Sequence, residues 1–314
     1  MKTSLALLLL APLPLLAALE EKNPPVRSTD EPTLVWDLAP DVTAKGYRNF
    51  RTSNDAVKPK EGAALPDQAG LATLHESGSS EFDVAGLKKM MKKFSGPVTV
   101  FDLRQEDHGF LNDEPISWFT INNWGNVGKT NADITADERT KLSALKPGSS
   151  IELTDDSVKK GGDPAKAPHR TETVAAAVTE KKIVTGLHAD YVRITVSDHS
   201  RPTDVEVDRF VQAVRNMPAD GWAHFHCRAG RGRTTTFMAL YDMLRNASSV
   251  SLQAIVDRQS LLAVDYDLLG KEEEPGAKAG VAADRANFVR AFYTYAQANP
   301  GGKPAMWSDW IKTH

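Results

Sequence analysis

One segment constrains the fold more than any other. Trp222 to His226 is a short apolar run that reads as a strand, and it leads straight into Cys227-Arg228-Ala229-Gly230-Arg231-Gly232-Arg233. Thr234 to Arg245 then reads as a helix. A strand, a tight glycine-bearing turn and a helix in this order belong to an α/β architecture. The rest of the chain agrees. Strands are expected at 98–103 and 191–196, and helices at 83–94, 173–186, 252–262 and 282–298. Thr203 and Glu206 have capping-box spacing for a further helix, in which Val207, Phe210, Val211, Val214 and Met217 recur at helical intervals. The expected fold is α/β, with a central, mostly parallel sheet flanked by helices.

The loop itself carries chemistry. Five residues separate Cys227 from Arg233, and two of them, Gly230 and Gly232, let successive backbone N–H groups turn inward as an anion nest. The following helix aims its positive end at the same point. Arg233 offers a planar fork for two phosphoryl oxygens. Such surroundings favour a reactive thiolate over an inert thiol, and Thr234 is placed to hydrogen-bond the sulfur. The bland alternative is a buried, unreactive cysteine. Cys227 is the only cysteine in the 314 residues, so no internal disulfide can consume it.

Composition narrows the partners. A net charge of -3, with 25% charged and 41% hydrophobic residues, gives no general affinity for nucleic acid or an anionic membrane. Polyanion binding must come from local clusters. At the N-terminus, Lys2, the apolar stretch from Leu5 to Leu16 and the small residues Ala17-Ala18 have the form of a signal peptide over 1–18. Residues 19–314 are then the catalytic domain, exported to the periplasm or secreted, with no stable membrane association. From about 117 to 169, short apolar runs alternate with Gly, Pro, Asn and Lys, and an inserted β-rich subdomain is expected there.

Two other readings fail on detail. His224 and His226 lie near Cys227, but strand alternation puts the cysteine on the opposite face, so a shared metal site is not expected. Gly128-Lys129-Thr130 has the end of a nucleotide loop, yet Asn123 stands where the leading glycine is required.

An alkoxide leaving group needs a proton. Asp198 ends the strand before the capped helix, one strand–loop–helix unit upstream of Cys227, and is the expected general acid and base.

His226-Cys227 through Arg233-Thr234 resembles the signature of the protein-tyrosine-phosphatase superfamily. The longer resemblance is to one branch, the protein-tyrosine-phosphatase-like inositol polyphosphatases, or cysteine phytases. It rests on Asp198-His199-x-x-Pro202-Thr203 and on the loop itself. Asp102-Leu103-Arg104-Gln105-Glu106-x-His108-Gly109, Ser117-Trp118, Asn123-Trp124, Arg258-Gln259 and Trp307-x-x-Trp310-x-Lys312 extend it from about 50 to 312. It implies a phosphatase core carrying a small partial β-barrel and acting without metal or cofactor. It also implies a phosphocysteine intermediate at Cys227, with Arg233, Asp198 and Thr234 as its catalytic partners. The substrate contacts it implies are His226, Arg228, Ala229, Gly230, Arg231 and Gly232, with His199, Lys312 and Arg51 further out. Arg228 and Arg231 depart from the acidic or apolar residues of better-known members. Two added cations at the mouth suit a small molecule bearing several phosphates. The rival enzyme readings are a phosphotyrosine or phosphoinositide phosphatase, and the rival from another class is an inactive phosphate-binding module.

Overall fold

A computed structural model describes residues 24–38, 45–160, 163–262, 265–270 and 276–314. The segment 1–18, where a signal peptide is expected, lies outside the described residues.

Two sheets organise the chain. The first has the order β10-β4-β11-β3-β2. It comprises β2 (Arg51–Thr52), β3 (Glu76–Ser79), β4 (Val98–Arg104), β10 (Asp190–Val196) and β11 (Trp222–His226). Its strands run parallel except for β2, which is antiparallel to β3. The expected central, mostly parallel sheet is present.

Both faces of that sheet are covered, as a parallel sheet requires. On one face, Phe101, Leu103, Ile194, Phe225 and Cys227 join a core with α4 (Asp204–Asn216), α5 (Gly232–Asn246), α6 (Leu252–Leu261), α7 (Val281–Ala298) and α8 (Trp307–Ile311). On the other, Val98, Val100 and Trp222 pack with α1 (Val84–Met91) and α3 (Glu180–Gly186). The two-residue period therefore separates Cys227 from His224 and His226, as the sequence pattern requires. Among the described residues no helix is long and apolar enough to cross a membrane.

The second sheet corrects the expected insert. Its order is β8-β7-β1-β6-β5-β9. It draws β1 (Thr33–Trp36) from the start of the chain and β5 (His108–Leu111) from well before 117. It continues with β6 (Glu114–Phe119), β7 (Ser150–Thr154) and β8 (His169–Thr173), and ends at β9 (Ala177–Val178). Its order leaves β8 and β9 as two edges. The region also holds a helix, α2 (Asn131–Ala144), closed by a reciprocal capping box between Thr130 and Asp133. That explains the Gly128-Lys129-Thr130 motif: its threonine starts a helix.

Two local expectations change as well. Thr203 makes no side-chain cap; Glu206 instead accepts the Thr195 backbone N–H at 2.9 Å and ties α4 to β10. The segment from 173 is not helical until Glu180. The Asn112 side chain accepts from the N–H groups of Ala175 and Ala176, which keeps the alanines out of a helix despite their propensity and leads Ala177 into pairing with β5.

Candidate active site

The loop from Cys227 to Arg233 is built by what holds its carbonyls. Glu81 N–H donates to the Arg228 carbonyl at 3.1 Å, and Thr235 N–H to that of Arg231 at 2.8 Å. Asn49 Nδ2 donates to the Ala229 carbonyl and Arg51 Nη1 to the Gly230 carbonyl, each at 2.8 Å. In a trans peptide the N–H points opposite its carbonyl. Four carbonyls held outward therefore turn the intervening N–H groups inward, at the N-terminus of α5. This is an anion nest.

Gly230 is indispensable to that turn. Its φ is +69°, and a Cβ there would lie 2.4 Å from the Ser80 nitrogen and 2.5 Å from the Ser79 carbonyl carbon. Backbone atoms cannot move aside as a flexible side chain would. Gly230→Ala is expected to cost about 1–3 kcal/mol for the left-handed conformation alone, with the overlap adding to it. Denaturant unfolding checks this, and a variant as stable as wild type would contradict the described turn.

Cys227 is 3% exposed, and Thr234 Oγ1 donates to its sulfur at 3.2 Å. Arg233 is held rigidly beside it. Nη1 and Nη2 make a two-pronged contact with Glu106, at 2.7 and 3.0 Å, and Nη1 also reaches the Val196 carbonyl at 3.1 Å. Its Nε is buried without a protein partner, a donor left over for a phosphoryl oxygen. Burial would raise the Glu106 carboxyl, but the Arg233 and Arg104 guanidiniums more than reverse this and hold it below the usual carboxylate range. Arg233 pays for its own burial through Asp198 and Glu106, which keep it firmly charged.

Asp198 comes to the same point. Its Oδ1 is 3.3 Å from Arg233 Nη2, and its side chain is 27% exposed. Asn123 Nδ2 donates to Oδ2, and Trp124 Nε1 donates to the Asp198 carbonyl, both at 2.9 Å. Burial raises the carboxyl, but Arg233 and then His199 bring it below its ordinary value. His199 adopts φ +69° and gives its carbonyl to Arg285 Nη1 at 2.8 Å. The acid loop is thus braced from both sides.

The remaining expected contacts divide. Arg231, at the N-cap of α5, is exposed, and Gly232 opens the helix. Arg228, expected as a cation at the mouth, is engaged at rest, with Nε 3.3 Å from Asp37 and Nη2 against Asp156. Arg51 is a correction: it is 1% exposed, and its guanidinium braces the Gly230 carbonyl and Thr235 Oγ1, at 2.8 and 2.9 Å. His226 is another. It is fully buried on the opposite face from Cys227, with Nε2 2.8 Å from Glu180 Oε1. Lys312 is 71% exposed at the end of α8, with its Nζ 3.6 Å from Asp309 Oδ1 on its own helix.

Several residues that build the site were not singled out from sequence. Glu106 orients Arg233. Asp37 joins the second sheet to the loop, accepting from Arg104 at 2.9 Å, Lys159 at 2.6 Å, Ser117 at 2.9 Å and Arg228. Asn49 holds the loop. The charge run from Asp102 to Glu106, at the end of an otherwise apolar strand, was the available signal for Arg104 and Glu106. Two sets of side chains, Glu81-Glu180-His226 and Asp102-His108-Glu180, have ligand atoms close enough to hold a metal ion. Their carboxylates already face His226, His108, Arg104 and Arg193, which describes a buried ion-pair network.

Residues 101–245 match the PTP-like phytase family model, described as inositol hexakisphosphate. A PTP-like phytase from Bdellovibrio bacteriovorus superposes with a TM-score of 0.75 at 35% identity, covering 94% of this chain and 100% of that one. The PTP-like myo-inositol phosphatase from Mitsuokella multacida, in complex with myo-inositol-(1,3,4,5)-tetrakisphosphate, gives 0.78 at 32% identity. That match covers 93% of this chain and 50% of the other. The effector protein hopD2 of Pseudomonas syringae pv. tomato is 32% identical over 291 residues, 91% of this chain but 61% of the relative's length. A strand-to-helix anion nest and similarity to a solved PTP-like phytase along 94% of this chain and 100% of that one lead to one conclusion: the chain belongs to the PTP-like phytase family and is a phosphatase of the hydrolase class.

Proposed function

We propose that this phosphatase removes phosphate from myo-inositol polyphosphates through a phosphocysteine intermediate. The observation that carries the reading is Arg233. One guanidinium, locked by Glu106, stands 3.3 Å from Asp198, in the loop whose cysteine is contacted by Thr234. The Cys227 sulfur attacks phosphorus, and the nest and Arg233 take the charge on the equatorial oxygens. Asp198 gives its proton to the departing inositol oxygen, and in the second step takes one from water. Water then breaks the S–P bond, releasing orthophosphate and regenerating the sulfur, with Thr234 steadying it as it leaves. The inositol ring as substrate is supported by the family and by the ligand of the Mitsuokella relative. Arg231 is the outlying cation placed to meet a neighbouring phosphate, and Arg228 can do so once it releases Asp156.

The acid assignment has a definite test. Asp198→Asn is expected to slow release from inositol phosphates by about 10²–10³-fold. Aryl phosphates, whose leaving groups need little protonation, should lose far less. Equal losses on both would reject the assignment. The pH dependence follows from the lowered carboxyl. The acid must be protonated, so kcat/KM falls as pH rises through the depressed Asp198 value, and the optimum is acidic. A bound phosphate placed against Arg233 offsets that cation, so the corresponding limb of kcat lies at higher pH. Asp198→Asn should remove the limb. A comparison of inositol hexakisphosphate, a soluble phosphoinositide and a phosphotyrosine peptide, with chelator present, tests the substrate class. Preference for the peptide would reject the inositol reading.

A further inference from the structure

Asp198 is held by a turn whose backbone is unusual. Asn123 and Trp124, the two residues that reach it, belong to the turn that follows β6. Within that turn Asn122 and Asn123 adopt φ +58° and +59° in succession. Asparagine tolerates this left-handed region better than most residues, yet side chains other than glycine populate it sparsely. Such a conformation persists where its surroundings tie it down. Some of the ties are local. The Thr120 carbonyl accepts Asn123 N–H and Thr120 Oγ1 accepts Gly125 N–H, both at 2.8 Å.

The other ties come from the segment that leads into β1. β1 pairs antiparallel with β6, with Thr33 opposite Phe119. Five residues back from Thr33 and five on from Phe119 the same register resumes, and Ser28 N–H donates to the Trp124 carbonyl at 3.1 Å. One step further, Arg27 Nε donates to the Gly125 carbonyl at 2.9 Å. Residues 26–30 thus form a strap across the turn. Val26 is 78% exposed, and the strap lines a cavity of about 470 Å³ together with Glu106 and Asn123. Polar ties rather than close packing join strap to turn.

We propose that Arg27 and Ser28 are positioning residues for the general acid, fixing the Asn123–Trp124 turn where it delivers Asp198 to the departing oxygen. The effect passes through two backbone carbonyls into the turn. From there it reaches the acid through the bonds of Asn123 and Trp124 to Asp198, both 2.9 Å long. Proton transfer demands hydrogen-bond contact with the leaving group, so a small displacement of the carboxyl is costly. The nest, by contrast, is held by Glu81, Asn49, Arg51 and Thr235. The strap therefore bears on proton delivery rather than on attack by the sulfur.

The inference rests on Asp198 being the acid, and the test separates the two. Turnover is measured on inositol hexakisphosphate, whose alkoxide leaving group needs a proton, and on an aryl phosphate, whose leaving group needs little. Arg27→Ala is expected to lower kcat on the inositol substrate about threefold, and Ser28→Pro, which removes the N–H donor, about tenfold. Both should stay within about twofold of wild type on the aryl phosphate. Added to Asp198→Asn, either change should cost less than about twofold on the inositol substrate too, because the proton donor it serves is gone. Thermal unfolding controls for folding, and should Ser28→Pro fail to fold, Arg27→Ala carries the test. Wild-type kcat on inositol hexakisphosphate in the folded strap variants would overturn the role of the strap. So would equal losses on both substrates, or losses that multiply with that of Asp198→Asn. Equal losses on both substrates in Asp198→Asn alone would instead overturn the acid.

Discussion

Cys227→Ser is expected to fold and to release phosphate from inositol hexakisphosphate at least about 10⁴-fold more slowly than wild type. The change replaces one atom at a site whose architecture does not depend on it. The loop is held by its carbonyls, through Glu81, Asn49, Arg51 and Thr235, and none of those bonds involves the cysteine side chain. A serine hydroxyl is a far weaker nucleophile than a cysteine sulfur, and Asp198 is engaged by Arg233 and Asn123 rather than placed as its base. Steady-state phosphate release checks the loss, with circular dichroism as the control. Retained turnover in a folded variant would place the nucleophile elsewhere.

Arg233→Lys is expected to cost about 10³-fold in kcat, comparable to losing more than one donor from a transition-state cradle. Lysine keeps the charge but not the fork, and the fork does two jobs. It grips Glu106 with both Nη atoms and leaves Nε for the phosphoryl group. A single ammonium cannot serve both directions. Arg233→Ala goes further, because it leaves the buried Glu106 carboxylate with fewer cations. Removing one member of a buried pair typically costs about 3–5 kcal/mol, and Arg104, 3.0 Å from Glu106, should keep the loss toward the lower end. Adding Glu106→Gln to Arg233→Ala should restore part of the stability without restoring activity. Thermal unfolding and kinetics on the same proteins separate the roles. If Arg233→Lys retained near-normal kcat, the fork geometry would not matter.

What could be read in advance was local in sequence. The strand, glycines, arginine and helix around Cys227 are contiguous, so their physical requirements appear side by side. Asp198 was legible because it ends a strand and precedes a helix. Which partners make these groups effective was not legible, even where a charge run flagged them, because they pair across the chain: Glu106 and Arg233 are 127 residues apart. Arg51 illustrates the difficulty. Its motif position suggested an outer substrate contact, yet it is spent on a loop carbonyl 179 residues away. His226 entered as a substrate contact through the resemblance alone, although strand alternation, legible in the sequence, already turned it into the layer opposite Cys227. The second sheet was only half visible, because β1 reaches it from a distant part of the chain.

The central claim is that a phosphoryl group passes from an inositol polyphosphate to Cys227 and then to water. Its most direct test is a rapid quench of wild-type protein turning over inositol hexakisphosphate, followed by mass spectrometry of the peptide containing Cys227. The account predicts a phosphoryl group on that cysteine during turnover, and none in Cys227→Ser. Full turnover with Cys227 unmodified, or a phosphoryl group on another residue, would contradict it.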